Sequence, residues 1–287
     1  QSCTSIIIEE KYCIRNTSSF FNYRCDWKYD GIISDRCEGV LKHKNYSGMM
    51  KGRNFYLLGN SVIRHYSFNI KYLLDGTDNS TKLSRLDEKM KCGDVVSINT
   101  CSHETSCGIT IDFMWKQTFG NLTDPTDARS VCCERKIPTK QCLKARFSNA
   151  SRDDILIIGS LFINSNVFLG NDKLAAKYFG NILNSQHTLQ VSDVNAIIDA
   201  LLQSFPGAII WLPFPYTRSI IPSKMIEDSN SFTLKAIEAV CSERLLFINT
   251  YPILKSQNHL YIDDIHHPGE LSDIVVRIIF SSLNIEN

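Results

Sequence analysis

Short, continuous apolar runs alternate with amphipathic stretches along the second half of the chain. Asp154-Ile-Leu-Ile-Ile-Gly159, Ala208-Ile-Ile-Trp-Leu212 and Leu245-Leu-Phe-Ile-Asn249 have the length and β-branched character of parallel strands buried on both faces. Between and after them, Val194, Ile197, Ile198, Leu201 and Leu202 recur at helical spacing behind Ser192 as N-cap, and Leu271, Ile274, Val275, Ile278 and Ile279 do the same behind Pro268. Lys173 to Leu183 and Phe232 to Val240 read as further helices. Upstream, Asn54-Phe-Tyr-Leu-Leu58 reads as a strand and Val62 to Leu74 as a helix, joined by the tight turn Gly59-Asn60-Ser61. Strand and helix in alternation predict an α/β domain with a mainly parallel sheet.

The pattern weakens between Asp75 and Ala150, where Val95 to Ile98 and Ile109 to Trp115 each suit a strand. This stretch holds six cysteines and three Asn-x-Ser/Thr sequons, so residues 76–150 read as a cysteine-rich, glycosylated insertion within an α/β domain spanning 53–287. Residues 1–52 carry four cysteines and no long periodic element, and read as a disulfide-tied N-terminal lobe.

Composition adds the compartment. Of eleven cysteines, ten lie between Cys3 and Cys142, at gaps that do not form the paired spacing of a zinc site, and Cys241 stands apart. Disulfides within residues 1–150 are expected, with vicinal Cys132 and Cys133 each pairing elsewhere and Cys241 a free, buried thiol. The sequons at Asn16, Asn45, Asn79, Asn121 and Asn149 fall in the same half, which points to secretion or to the lumen of the secretory pathway. Hydrophobic residues at 43%, charged residues at 21% and a net charge of +1 describe a globular chain with no electrostatic footprint for nucleic acid. No apolar run is long enough for a membrane span, and Gln1 reads as the start of a processed or trimmed chain that could have lost a signal peptide or a membrane anchor upstream. Oligomeric state is not legible.

The residues that carry chemistry sit at two points. Ser61 follows a buried strand and opens a helix, so it lies at the carboxyl edge of a parallel sheet, where backbone N–H groups and the helix dipole stabilise negative charge. Its hydroxyl needs a base, and Tyr261-Ile-Asp-Asp-Ile-His-His-Pro268 supplies two candidates. Asp264 and His267 are three apart, a spacing that lets a carboxylate hold one imidazole nitrogen and leaves the other to accept a proton; Asp263 and His266 offer the same spacing one residue earlier. Two Asp and two His in five residues also suit a metal, but no third ligand is apparent. His65, His103, His187 and His259 show no partner spacing and read as ordinary surface or core histidines.

Gly59-Asn-Ser-Val-Ile-Arg64 resembles the Gly-Asp-Ser-x-x-Arg motif of the PC-esterase branch of the SGNH/GDSL hydrolases, and Asp264-Ile-His-His-Pro268 resembles its Asp-x-x-His-Pro block. Asp154 to Gly159, Ile210 to Pro215 and Phe247 to Pro252 resemble the strand blocks between them, so the likeness covers residues 53–75 and 151–283. The resemblance implies a three-layer α/β/α fold and ester chemistry, with Ser61 as nucleophile, His267 as base and Asp264 as its orienter; no cofactor and no metal are expected. Asn60 departs from the family's Asp. Ser61 N–H is placed as an oxyanion donor, and Arg64, Gly159 and Asn164 as further oxyanion or substrate candidates. The implied function is O-acyl esterase or O-acetyltransferase chemistry on a carbohydrate or glycan, with an acyl donor in the transferase case. The alternative is an inactive SGNH-fold glycoprotein serving as a binding or assembly module.

Overall fold

The apolar runs become the strands of one sheet. A computed structural model of the chain describes residues 46–76, 100–115, 139–159, 191–218, 221–267 and 269–283. In chain order, helix α1 (Tyr46–Met49) leads into strand β1 (Phe55–Gly59) and helix α2 (Ser61–Leu74), followed by strands β2 (Thr100–Glu104) and β3 (Thr110–Trp115) and helix α3 (Thr139–Arg146). Strand β4 (Ile155–Gly159), helix α4 (Val191–Ser204), strand β5 (Ala208–Leu212), helix α5 (Ser223–Val240), strand β6 (Leu245–Phe247), helix α6 (Tyr251–Ser256) and helix α7 (Gly269–Ser282) complete it. The sheet runs β2-β3-β1-β4-β5-β6, with β3, β1, β4, β5 and β6 parallel and β2 antiparallel at the edge.

Each parallel strand alternates its side chains between two apolar layers, because successive residues point to opposite faces. Phe55 and Leu57, Ile155 and Ile157, and Ile210 face α2 and α7, which contribute Ile63, Tyr66, Ile70, Val275 and Ile279. Tyr56 and Leu58, Leu156 and Ile158, and Ile209 and Trp211 face the other way, toward Leu143 of α3 and Phe147 just after it, Ile197 and Leu201 of α4, and Ile237 of α5. The described residues thus form helix, sheet and helix layers.

Several elements differ from expectation. Helix α5 begins at Ser223, nine residues ahead of Phe232, and α4 begins at Val191, so that Ser192 lies inside the helix it was expected to cap. Within the expected insertion, β3 pairs directly with β1 and is part of the sheet; β2 had no counterpart in the sequence reading. Cys142 and Cys241 are both disulfide-bonded, and Cys107 is free and exposed. The expectation of a free, buried Cys241 is therefore wrong: the residue is not within a helix face but terminates α5 in the left-handed conformation, at φ 49°, on the exposed surface where a bridge can reach it. Residues 1–45, Val95 to Ile98, Lys173 to Leu183, the sequons at Asn16, Asn45, Asn79 and Asn121, and Cys132 and Cys133 lie outside the described residues.

Two features fix the ends of β1. At its start, the Asp154 carboxylate accepts from Asn54 N–H at 2.8 Å and Ser151 N–H at 2.8 Å, while Asn54 Oδ1 accepts from Thr110 N–H at 3.1 Å, tying β1, β3 and β4 together. At its end, Gly59 and Gly159 are register partners. A Cβ on Gly59 would fall inside contact with the Gly159 carbonyl and the Ile63 side chain, and one on Gly159 would lie 2.7 Å from Leu212 Cβ. Glycine at both positions lets α2 start tight against the sheet.

Candidate active site

Strand β1 has β3 on one side and β4 on the other, so the chain's winding direction reverses at β1, and its carboxyl end is the crevice where open α/β sheets bind ligands. Asn60, extended at φ −92° and ψ −161°, caps α2 by accepting from Val62 N–H on its side-chain oxygen at 3.0 Å. Asn and Asp cap equally well, which accounts for Asn at this position. Ser61 is then the first helical residue, half-buried, at the end where the backbone N–H groups lack helical partners.

The partner of Ser61 is His266. Its Nε2 lies 2.7 Å from Ser61 Oγ, and its Nδ1 lies 2.7 Å from Asp263 Oδ2. The other carboxylate oxygen of Asp263 accepts from the backbone N–H groups of His266 at 2.7 Å and Ile265 at 2.8 Å. Partial burial pushes the Asp263 carboxyl up, but these hydrogen bonds and the His266 ring outweigh it and hold the group below the usual carboxylate range. Asp263 therefore stays ionised and fixes both the loop backbone and the imidazole.

The expected Asp264–His267 pair is not what meets Ser61. The His267 ring is 1% exposed and packs between Tyr66, at 5.5 Å between centroids, and Tyr261, at 5.7 Å. Neither of its nitrogens has a hydrogen-bond partner in the protein. Burial, with the nearby His65 and His266, drives its pKa down to about 3, so it is a neutral core residue. Asp264 instead contributes its backbone carbonyl, which accepts from Arg218 N–H at 2.9 Å. The physical reason is that adjacent residues of this non-helical stretch turn to different sides, so His266 meets Ser61 at the start of α2 while His267 turns toward Tyr66, further along the same helix, and Tyr261.

Of the remaining candidates, Arg64 is half-buried on the first turn of α2, where desolvation lowers the pKa of its guanidinium. Gly159 ends β4 beside Gly59 and is required there by packing. Asn164 lies outside the described residues, and Asn149 is exposed in the turn after α3.

Two residues near the site carried no sequence signal that was used. Arg218, on the exit from β5, donates from Nε to Asn258 O at 2.9 Å and from Nη2 to His259 O at 3.1 Å, and its guanidinium lies 5.9 Å from the Tyr261 ring centroid, so it straps the loop that presents Asp263 and His266. His65 packs against His266; its position four residues after Ser61, one helical turn, was the available clue. A cavity of about 480 Å³ lies elsewhere, between α5 and α6 beyond β6, where Glu227 already accepts from Lys255 and Tyr251.

No family model matches the chain, and no curated protein matches it at a meaningful level of similarity.

Proposed function

We propose that the chain is a serine-dependent O-acyl esterase or O-acyltransferase of the SGNH hydrolase type, with Ser61 as nucleophile, His266 as general base and Asp263 as its orienter. The observation that carries this reading is the continuous chain of short contacts from Ser61 Oγ through His266 to Asp263 at the carboxyl edge of a parallel sheet. In the reaction, His266 Nε2 takes the Ser61 proton as Oγ attacks the acyl carbonyl, and Asp263 stabilises the imidazolium. The tetrahedral oxyanion forms at the N-terminus of α2, where Ser61 N–H is placed to donate to it. Collapse expels the alcohol, which recovers the proton from His266 and leaves acyl-Ser61. Attack by water then gives hydrolysis, and attack by a sugar hydroxyl gives transfer.

A carbohydrate O-acetyl substrate follows from the resemblance of Gly59 to Arg64 to the PC-esterase motif, with the dyad moved one residue upstream of that family's His-Pro pair. Placement outside the cytosol is supported by the disulfide bonds at Cys142 and Cys241 and by the exposed Asn149 sequon. The deciding experiment is reaction with a fluorophosphonate followed by peptide mapping. Labelling confined to Ser61, and absent in Ser61→Ala, is the expected result; an unlabelled, folded wild-type chain would return the protein to the non-catalytic reading.

A further inference from the structure

Asp263 does not by itself fix the plane of the His266 ring. It holds one nitrogen, and a ring held at one nitrogen can still tilt about that hydrogen bond, swinging Nε2 away from Ser61. A flat surface against the ring face removes that freedom, and His65 supplies one: the two ring centroids are 5.1 Å apart with 32° between planes. His65 is 8% exposed, so its own ring is confined by packing. It also stands one turn along α2 from Ser61, so nucleophile and wall are carried on one rigid element and keep their spacing.

We propose that His65 is a positioning residue for acyl transfer, a wall that holds the His266 imidazole in the plane where Nε2 meets Ser61 Oγ. This rests on the reading of Ser61 and His266 as nucleophile and base. The charge state of His65 suits the role. Burial foremost, then the neighbouring His266 and Arg64, against the opposing pull of Asp263, lowers its pKa to about 3. It therefore presents an uncharged ring to His266 when His266 takes up the serine proton, and no second positive charge opposes that step.

The test compares wild type with His65→Phe, which keeps a flat uncharged ring, and with His65→Leu and His65→Gln, which do not. Turnover of p-nitrophenyl acetate and the rate of fluorophosphonate labelling are measured per folded molecule, with thermal melting defining the folded fraction. We expect Phe to keep kcat within about threefold of wild type and Leu or Gln to lower it by about tenfold or more at unchanged KM, since misorientation affects the reacting geometry rather than binding. Leu and Gln at the wild-type rate, or Phe falling as far as they do, would overturn the inference while leaving Ser61 and His266 in place. If wild type itself is not labelled, both this inference and the proposed function fall together.

Discussion

A histidine serves as a base when one ring nitrogen faces the proton it must accept and the other is held by a hydrogen bond that sets the tautomer. His266 has both contacts, at 2.7 Å each, and His267 has neither. We therefore predict that His266→Ala lowers fluorophosphonate labelling of Ser61 by about a thousandfold or more, while His267→Leu stays within about tenfold. Labelling that survived in His266→Ala and vanished in His267→Leu would reverse the assignment. Sequence led to this loop but not to the residue, because Asp263 with His266 and Asp264 with His267 have identical spacing, and the choice depends on which ring meets Ser61. That orientation is set by Tyr66 and Tyr261, which enclose His267, and no local pattern encodes it. Asn60 was legible in the opposite sense: it looked like a departure from a motif, yet its role as N-cap needs only a side-chain oxygen.

The elements that carry the site differ in how plainly their sequence shows them, and the differences share a cause. Strands β1, β4 and β5 are buried on both faces and advertise themselves as apolar runs. Strand β2, Thr-Cys-Ser-His-Glu, is an edge strand that lacks such a run, and the first half of α5, Ser223 to Ser231, mixes polar residues with few apolar ones, burying Ile226 and Ser229 from that stretch. The strap across the loop that carries His266 was invisible for a different reason, since Arg218 and residues 258–259 are forty positions apart and bond through backbone carbonyls. Backbone acceptors leave no trace in side-chain sequence. We predict that Arg218→Ala keeps the fold but frees the loop: amide exchange of residues 258–266 should accelerate by about tenfold or more while the central strands stay protected, and labelling of Ser61 should slow. Unchanged exchange in that segment would show that Arg218 does not hold it. At the other end of the sheet, Asp154→Ala strands the N–H groups of Asn54 and Ser151, and should cost roughly 2–4 kcal/mol in urea unfolding without altering the geometry around Ser61.

At the scale of the molecule, strand order brings together what the sequence keeps apart. Ser61 and His266 are 205 residues apart and meet because β1 lies at the reversal of the sheet while α7, which follows the His266 loop, packs against α2. Alternating strands and helices predicted the α/β class; they did not predict that β3 and β4 would flank β1. The same convergence buries the imidazoles of His65 and His267, and this has a consequence for the whole fold. His65 and His267 are each held neutral, with pKa values near 3, whereas both would titrate at about 6.5 in the unfolded chain. Between those values the unfolded state binds more protons than the native state, so stability is fully present above about pH 6.5 and declines as pH falls toward 3. Each such histidine steepens the decline by at most about 1.4 kcal/mol per pH unit once the unfolded group is protonated. Asp263, held below its ordinary range, adds a loss in the same direction at the acid end, through the usual carboxylate range and down past its lowered folded value. The prediction is that urea midpoints of wild type fall steadily from pH 7 to pH 4.5, and that His267→Leu flattens this dependence by close to one proton's worth. At pH 7 the variant should be no less stable than wild type, because Leu removes two buried nitrogens that have no partner and fills the space between Tyr66 and Tyr261 with apolar atoms. Parallel pH dependences for the two proteins would mean that His267 takes up a proton in the folded state as readily as in the unfolded one, and the buried neutral histidine would have to be abandoned.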